Sequence, residues 1–389
     1  MDLSKIGRHL ALALPAAFGM AGAFVAGVAA VQQRPTFTVR SDLVQIDAVV
    51  LDRQRRPVSG LAAADFLVTD DGQPRTIDAF AEVTIPGAPP RESPGLVPMA
   101  STGVVSNQRA DVGRLVVIMI DQSVPTGPMI ETARRAARAA VDSLGPQDLA
   151  AVITAGSFGG DGTAQGFTSD HKRLYDAIAR PFMGATKAPP NGTGGSDDRI
   201  PSIKESIACY CGTCQWEAIA RIADAMRADV HRQKILIFIA RELQVQVDAA
   251  TDQCAFDVRY ARERGLQALA RANVTVYPID PSGLETLAAM ASSTRSYGSG
   301  QSAAVNVAHS LAEHLHRIDD LTVLADYTGG RAVTSTNDPD RLFPDLFQES
   351  STYYAIGFRG DMTVRRDPHK IRVSIRDRPA LTVRARSTY

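Results

Sequence analysis

Two oxygen-bearing side chains follow directly after a run of six apolar residues, in the segment RLVVIMIDQS. Asp121 and Ser123 place a carboxylate and a hydroxyl two positions apart, and such hard oxygen atoms are the ligands that Mg²⁺ prefers. The same pair also suits a structural role, in which the side chains hydrogen-bond to loop N–H groups or to a nearby helix N-terminus. Both interpretations are open at this point, and we favour the structural one.

Four cysteines form a second group with chemical potential. Cys209, Cys211 and Cys214 lie together in the segment CYCGTC, and Cys254 is separate from them. A C-x-C-x-x-C triplet with a distant fourth cysteine has the composition of a zinc site. In an exported protein, an even number of cysteines favours two disulfides. We therefore predict that Cys254 pairs with one member of the triplet and that the other two pair locally, with zinc binding and free thiols as the alternatives.

Two further groupings suggest nucleotide or hydrolytic chemistry. The glycines of TAGSFGGDG follow a predicted strand, but no helix begins directly after them to hold a pyrophosphate. Ser157, His171 and Asp161 have the residue types of a catalytic triad, but the chain has no G-x-S-x-G elbow. We therefore predict a protein that is not an enzyme. A hydrolase that uses the long polar loop at residues 181–205 as a lid is the less favoured alternative.

The elements that position Asp121 alternate between strand and helix from residue 113 onward. Apolar strands such as KILIFIA and VTVYPID are separated by amphipathic helices, which predicts an α/β fold with a doubly wound, mostly parallel sheet. Ligands of such sheets bind beyond the carboxyl ends of the strands, where Asp121, residues 240–242 and Asp280 are expected. Three strand-like segments at the C-terminus have no helices between them, and we expect them to extend the same sheet in antiparallel fashion.

Composition divides the chain into four parts. Residues 1–30 have a positive start and an apolar Ala/Gly-rich run, which predict a signal peptide or an N-terminal membrane anchor. Residues 36–83 are rich in β-branched residues and contain the hairpin signal Asp71-Gly72, which predicts a small β-sandwich-like module. Residues 84–112 are rich in Pro, Gly and Ser and predict a linker. Residues 113–389 then form the α/β domain.

Charge and the predicted leader limit the partners and the location. Lys+Arg and Asp+Glu are balanced at 42 each, so the chain lacks the positive charge that binding to nucleic acid requires. The leader predicts export to the periplasm, the envelope or the medium. We expect contact with a membrane only through an uncleaved N-terminal segment.

Several segments resemble a known family. RLVVIMIDQS is similar to the opening strand and metal-site loop of von Willebrand factor A domains. DLVQIDAVVLDRQRRPVSGLAAADFLVTDDGQPRTIDAF, ANVTVYPIDPSGL, LADYTGGRAV and TYYAIGF resemble phrases of the exported bacterial VWFA-related proteins that are abundant in acidobacteria. The resemblance covers nearly all of the chain after the leader. It implies a binding or adhesion protein that contacts a protein or a cell-surface ligand through the rim of its sheet, with an envelope scaffold as the alternative.

The resemblance also implies a Mg²⁺ site built from Asp-x-Ser-x-Ser, a threonine of a second loop and an aspartate of a third. Asp121 and Ser123 match the first two ligands, whereas the third falls on Pro125, which has no side-chain oxygen. The other ligand positions are matched only weakly, by Thr126, by Thr213 or Thr193, and by Glu242. We therefore expect a degenerate metal site for which Mg²⁺ is the candidate cofactor.

Overall fold

The structure of the protein is a computed structural model, in which all described residues belong to one unit, Ser41–Tyr389. It describes residues 43–86, 113–125, 127–154, 164–180, 203–243, 253–284, 303–360 and 368–389. The predicted leader, residues 87–112 of the predicted linker and residues 181–202 of the predicted loop lie outside these ranges. Residues 203–205 of that loop instead form the first turn of a helix.

The strands of the described residues are β1 (Leu43–Leu51), β2 (Phe66–Asp70), β3 (Gln73–Arg75), β4 (Ile77–Thr84), β5 (Arg114–Ile120), β6 (Leu149–Thr154), β7 (Ala164–Thr168), β8 (Gln233–Ile239), β9 (Val274–Ile279), β10 (Thr352–Arg359), β11 (Ile371–Ile375) and β12 (Thr382–Arg384). The α-helices are α1 (Pro128–Asp142), α2 (His171–Ala179), α3 (Ile203–Met226), α4 (Gln253–Ala272), α5 (Ala303–Thr328) and α6 (Phe343–Glu349). Short 3₁₀ turns precede β2 and α6, at Ala63–Asp65 and Pro339–Leu342.

A mixed five-stranded sheet lies at the centre of the α/β part, in the order β7-β6-β5-β8-β9. Strands β5, β6, β8 and β9 are parallel, and the edge strand β7 is antiparallel to β6. Every residue of β5 and β8 is buried, because helices cover both faces of the sheet. The predicted α/β class and the mostly parallel sheet are therefore confirmed.

Alternate residues of β5 enter two separate cores. Ile118 faces a core shared with α1, α2 and α6, whereas Val117 faces a core shared with α3, α4 and α5. The helices thus form one layer on each face, which fixes the carboxyl ends of the parallel strands at one edge of the sheet. Among the described residues, none of the helices combines the length and the apolar character needed to span a bilayer.

The C-terminal strands belong to the β module rather than to the central sheet. β10 lies between β1 and β4, β11 pairs with β2, and β12 pairs with β1, all in antiparallel fashion. The prediction that they extend the central sheet is therefore wrong; the antiparallel strand of that sheet is β7. The physical reason is the core of the module, which needs the apolar side chains of β10. Tyr354, Ile356 and Phe358 are buried there against Ile46 and Phe66.

The two sheets of the module are joined at both of their ends. β3 continues into β4 through Thr76 alone, and the backbone N–H of Ile371 donates to the carbonyl of Ser387, 2.8 Å away. The predicted hairpin is confirmed between β2 and β3, where Asp71 and Gly72 both have positive φ.

A buried carboxylate joins the β module to the α/β part. Glu349, at the end of α6, accepts hydrogen bonds from Arg55 at 2.7 and 3.1 Å and from Arg384 of β12 at 2.9 Å. Arg331 lies 3.4 Å from the same carboxylate. Because the Glu349 side chain is only 3% exposed, its charge is compensated by these guanidinium groups and not by water. We call this group the Glu349 cluster.

Candidate functional site

Three loops follow the parallel strands β5, β8 and β9 at the carboxyl edge of the central sheet. They comprise residues 121–124, 240–243 and 280–284, and we call them the rim. Asp121, Ser123, Glu242 and Asp280, which the sequence placed there, all lie in these loops. This edge is where ligands of open α/β sheets bind, so the rim is the first candidate site.

The Asp121 carboxylate is fully buried and held by protein groups. Its Oδ1 atom accepts from the backbone N–H of Ser123 at 2.8 Å and from Nε2 of Gln215 at 2.6 Å. Its Oδ2 atom is also buried and has no hydrogen-bond partner. Burial raises the pKa of Asp121, and the hydrogen bonds from Gln215, Ser123 and Gln122 offset only part of that rise. The charged form is therefore under-stabilised in the folded protein.

The loop after β5 is linked to the loop after β8 by one direct hydrogen bond and by the Gln215 side chain, which bonds to both loops. The backbone N–H of Arg241 donates to Oγ of Ser123 at 3.1 Å. Nε2 of Gln215 donates to the backbone carbonyl of Glu242 at 3.0 Å, while the Glu242 side chain is exposed. Gln215 is itself buried on α3, so one amide connects a helix with two loops. The loops after β5 and β8 are thus held together before any ligand arrives.

The Asp-x-Ser sequence occurs twice at the rim, with the same local geometry. Asp280 follows β9, and its Oδ1 atom accepts from the backbone N–H of Ser282 at 2.8 Å, as Asp121 accepts from Ser123. This is an Asx-turn, in which the aspartate side chain substitutes for a backbone acceptor as the chain leaves a strand. The repeated geometry supports the structural interpretation of Asp121, since the same turn forms at Asp280, which is not one of the predicted metal ligands.

The described residues do not assemble the ligands that a Mg²⁺ site needs. Asp121 and Ser123 are adjacent, and the unpartnered Oδ2 of Asp121 is a suitable ligand atom. Helix α3, however, directs the nitrogen of Gln215 at Asp121, and the half-buried Thr213 lies two residues earlier. The side chain of Glu242 is exposed, and Thr126 and Thr193 lie outside the described residues. Mg²⁺ takes oxygen ligands in octahedral geometry, and the NH₂ group of Gln215 that faces Asp121 is a hydrogen-bond donor and not such a ligand, so this donor set does not fit the ion.

A second cluster of polar side chains lies in the β module and was not predicted from the sequence. Nδ1 of His369 lies 3.1 Å from Oδ1 of Asp70 and 2.9 Å from Oδ2 of Asp71. Arg75 donates to the other oxygen of Asp70 at 2.7 and 3.0 Å, and so does the hydroxyl of Tyr389 at 3.1 Å. The side chains of Asp70, Asp71 and His369 have the chemistry of metal ligands. The Arg75 cation already neutralises Asp70, so the arrangement ties the β2–β3 hairpin to the C-terminus.

No sequence signal pointed to this second cluster. Asp70 and His369 are 299 residues apart, and His369 follows a segment outside the described residues. Asp71 was recognised only as a turn residue of the hairpin. Only the pairing of β2 with β11 brings these side chains together.

The predicted cysteine pairs fall mostly on side chains outside the described residues. Cys209, Cys211 and Cys214 lie on α3, and Cys254 lies on α4, which packs against α3. The placement on neighbouring helices is what a bond between Cys254 and the triplet requires. Only the half-buried Cys214 has a described side chain, so the disulfides stay a prediction.

The catalytic alternatives fall largely outside the described residues as well. Ser157, Asp161 and the glycines of TAGSFGGDG lie in the undescribed range 155–163. His171 is the first residue of α2, where its ring contacts the Tyr175 ring edge-on at 6.3 Å. The described geometry therefore supplies no argument for a triad.

Comparisons with known proteins add no assignment to this geometry. No protein-family model matches the chain, and no curated protein matches it. Function is therefore inferred from the rim and from the sequence segments that resemble the family.

Proposed function

We propose that the chain is an exported binding protein of the von Willebrand factor A type, located in the periplasm, the envelope or the medium. The rim would contact another protein or a cell-surface ligand. The proposal rests on the resemblance of the sequence segments and on the mixed α/β sheet. The observation that carries it is the fixed rim, in which Gln215 and Ser123 connect the loops after β5 and β8.

A fixed rim favours binding because a preorganised surface loses little conformational freedom when a partner docks. Flexible loops would have to be ordered at a cost of about 0.5–1.5 kcal/mol for each immobilised side chain. For the loops after β5 and β8, the ordering is already supplied by the hydrogen bonds to Asp121 and Ser123. The same edge of an α/β sheet also holds the active sites of enzymes. The chemistry of the exposed side chains must therefore decide between a binding protein and an enzyme.

That surface includes exposed apolar side chains at and beside the rim. Leu284, in the loop after β9, is 60% exposed. Phe256 and Tyr260 are 62% and 59% exposed on the first turns of α4, which is the helix that follows the loop after β8. Aromatic side chains such as Phe256 and Tyr260 are enriched at the centres of protein–protein interfaces. A partner protein is therefore the ligand class that this edge favours.

Two small cavities in the described residues lie away from the rim. Each has a volume of about 10 Å³, which is room for a single water molecule. One is lined by residues such as Tyr277 and Phe343, and the other by residues such as Leu266 and Arg386. Neither offers the roughly 300–1,000 Å³ of a small-molecule site.

The proposal is tested by capturing partners from a native envelope extract with the immobilised protein. Leu284→Asp changes the rim, and Val230→Asp is the matched control, because Val230 is 66% exposed before β8, at the opposite edge of the sheet. Both substitutions are on the surface, so we expect each to change the stability by less than about 0.5 kcal/mol. We expect the same partner with the wild type and with Val230→Asp, and its loss with Leu284→Asp. Equal capture by Leu284→Asp would place the binding surface elsewhere.

A further inference from the structure

The orientation of the Gln215 amide is determined by its two contacts. Its terminal group lies 2.6 Å from a carboxylate oxygen of Asp121 and 3.0 Å from the backbone carbonyl of Glu242. Both partners are acceptors, so the NH₂ end must face them, and its two hydrogens match the two acceptors. The side chain is 4% exposed, so no solvent competes for these bonds.

A cation between the same two oxygen atoms would also hold Asp121 and the backbone of Glu242 together. Divalent ions bind carboxylate and carbonyl oxygens, at about 2.0–2.1 Å for Mg²⁺ and about 2.3–2.6 Å for Ca²⁺. The amide nitrogen of Gln215 already lies between Asp121 and Glu242, and a neutral amide NH₂ group is a hydrogen-bond donor and not a ligand for such ions.

We infer that the side-chain amide of Gln215 takes the place of a divalent cation at the rim, so that the loops after β5 and β8 are held together without metal. Gln215 is a positioning residue, since it acts on any partner only through the loops that it fixes. The inference concerns how the rim is held, and it stands whether or not the rim binds the proposed partner.

A single substitution should convert this arrangement into a cation site. Gln215→Glu keeps the length of the side chain but replaces the donor by a second carboxylate facing Asp121. The introduced carboxylate, Asp121, the carbonyl of Glu242 and the hydroxyl of Ser123 then form a set of four oxygen ligands. Two buried carboxylates in contact repel each other unless a cation or a proton lies between them. The variant should therefore depend on a divalent ion for its stability, unlike the wild type.

The test is thermal unfolding and titration calorimetry with Mn²⁺, Mg²⁺ and Ca²⁺ alone. We expect the Tm of the wild type to be the same in EDTA and in excess cation. In calorimetry, the wild type and Asp121→Asn should give the same heat on addition of the cation. We expect Gln215→Glu to have a lower Tm in EDTA, a Tm that rises with Mn²⁺ or Ca²⁺, and a Kd below about 1 mM. If Gln215→Glu is unfolded in EDTA, recovery of its circular dichroism on adding Ca²⁺ gives the same result.

Gln233→Glu is the matched control, because Gln233 is also buried but lies at the start of β8, at the opposite edge of the sheet. We expect this variant to be destabilised without any rescue by cations. Stoichiometric binding of Mg²⁺ or Mn²⁺ by the wild type, lost in Asp121→Asn, would overturn the inference without any Gln215 variant. A Gln215→Glu protein whose stability ignores all three cations would overturn it as well.

Discussion

Replacing Glu349 by glutamine removes the negative charge from the Glu349 cluster and leaves its guanidinium groups uncompensated. The side chains of Arg331 and Arg384 are only 21% and 17% exposed, so water cannot replace the lost carboxylate charge. Burial and the neighbouring cations already lower the pKa of Arg331, and Glu349 opposes that shift. Removing one partner of a buried ion pair costs about 3–5 kcal/mol.

The contribution of Arg55 to that loss is smaller than its short distances suggest. Its side chain is 47% exposed, so solvent screens its charge, and exposed pairs contribute about 0–1 kcal/mol. Most of the loss should therefore arise from Arg331 and Arg384, and we expect Glu349→Gln to lower the free energy of unfolding by about 3 kcal/mol.

Urea unfolding, followed by circular dichroism, measures this loss. Glu131→Gln is the control, because Glu131 pairs with Arg134 on the surface of α1 with its side chain 62% exposed, and a change below about 0.5 kcal/mol is expected. Arg384→Met should cost about 1–3 kcal/mol less in the Glu349→Gln background than in the wild type. A Glu349→Gln variant within about 0.5 kcal/mol of the wild type would refute the reasoning, as would additive effects of the two substitutions.

Three further predictions concern the rim, the module and the cysteines. Burial raises the folded-state pKa of Asp121 above its usual 3.8, so the stability that its neutral form contributes is lost as the pH rises through the folded-state pKa. The free energy of unfolding of Asp121→Asn, relative to that of the wild type, should therefore be higher at about pH 8 than at about pH 4, as measured by urea unfolding. A relative free energy that stays constant or falls between these two pH values would contradict this prediction. His369→Ala leaves Asp70 and Asp71 without their shared donor and should cost about 1–3 kcal/mol in the same assay, whereas an unchanged stability would contradict the structural role of that cluster. Mass spectrometry of the exported, non-reduced protein should find no alkylatable thiol, and four alkylated cysteines would exclude the disulfides.

Long-range pairing explains why part of the fold was predictable and part was not. The apolar runs of β5 and β8 indicate a buried parallel sheet locally, because strands covered on both faces are apolar throughout. Asp71-Gly72 indicates a hairpin for an equally local reason, the positive φ that both residues adopt. The sheet that β10 joins depends instead on β1, some 300 residues earlier in the chain, and alternation within β10 carries no information about its partner.

The candidate site divides in the same way. Asp121 and Ser123 were predictable at the rim, because the residues after a buried parallel strand lie at the carboxyl edge of the sheet. Gln215 was not predictable, since a glutamine within a helix has no pattern that distinguishes a buried donor from a solvated side chain. Its role follows from the packing of α3 beside β5, which brings an amide 94 residues away to Asp121.

Hydrogen–deuterium exchange of the protein, with and without the partner fraction captured from the envelope, tests the central claim most directly. The claim is that partners bind at the rim, so slower exchange is predicted for the backbone N–H groups of residues 122–124, 241–243 and 282–284. The turn before β8, which contains the exposed Val230, should exchange at the same rate in both samples. Protection confined to that turn or to the β module, with unchanged exchange at the rim, would contradict the account.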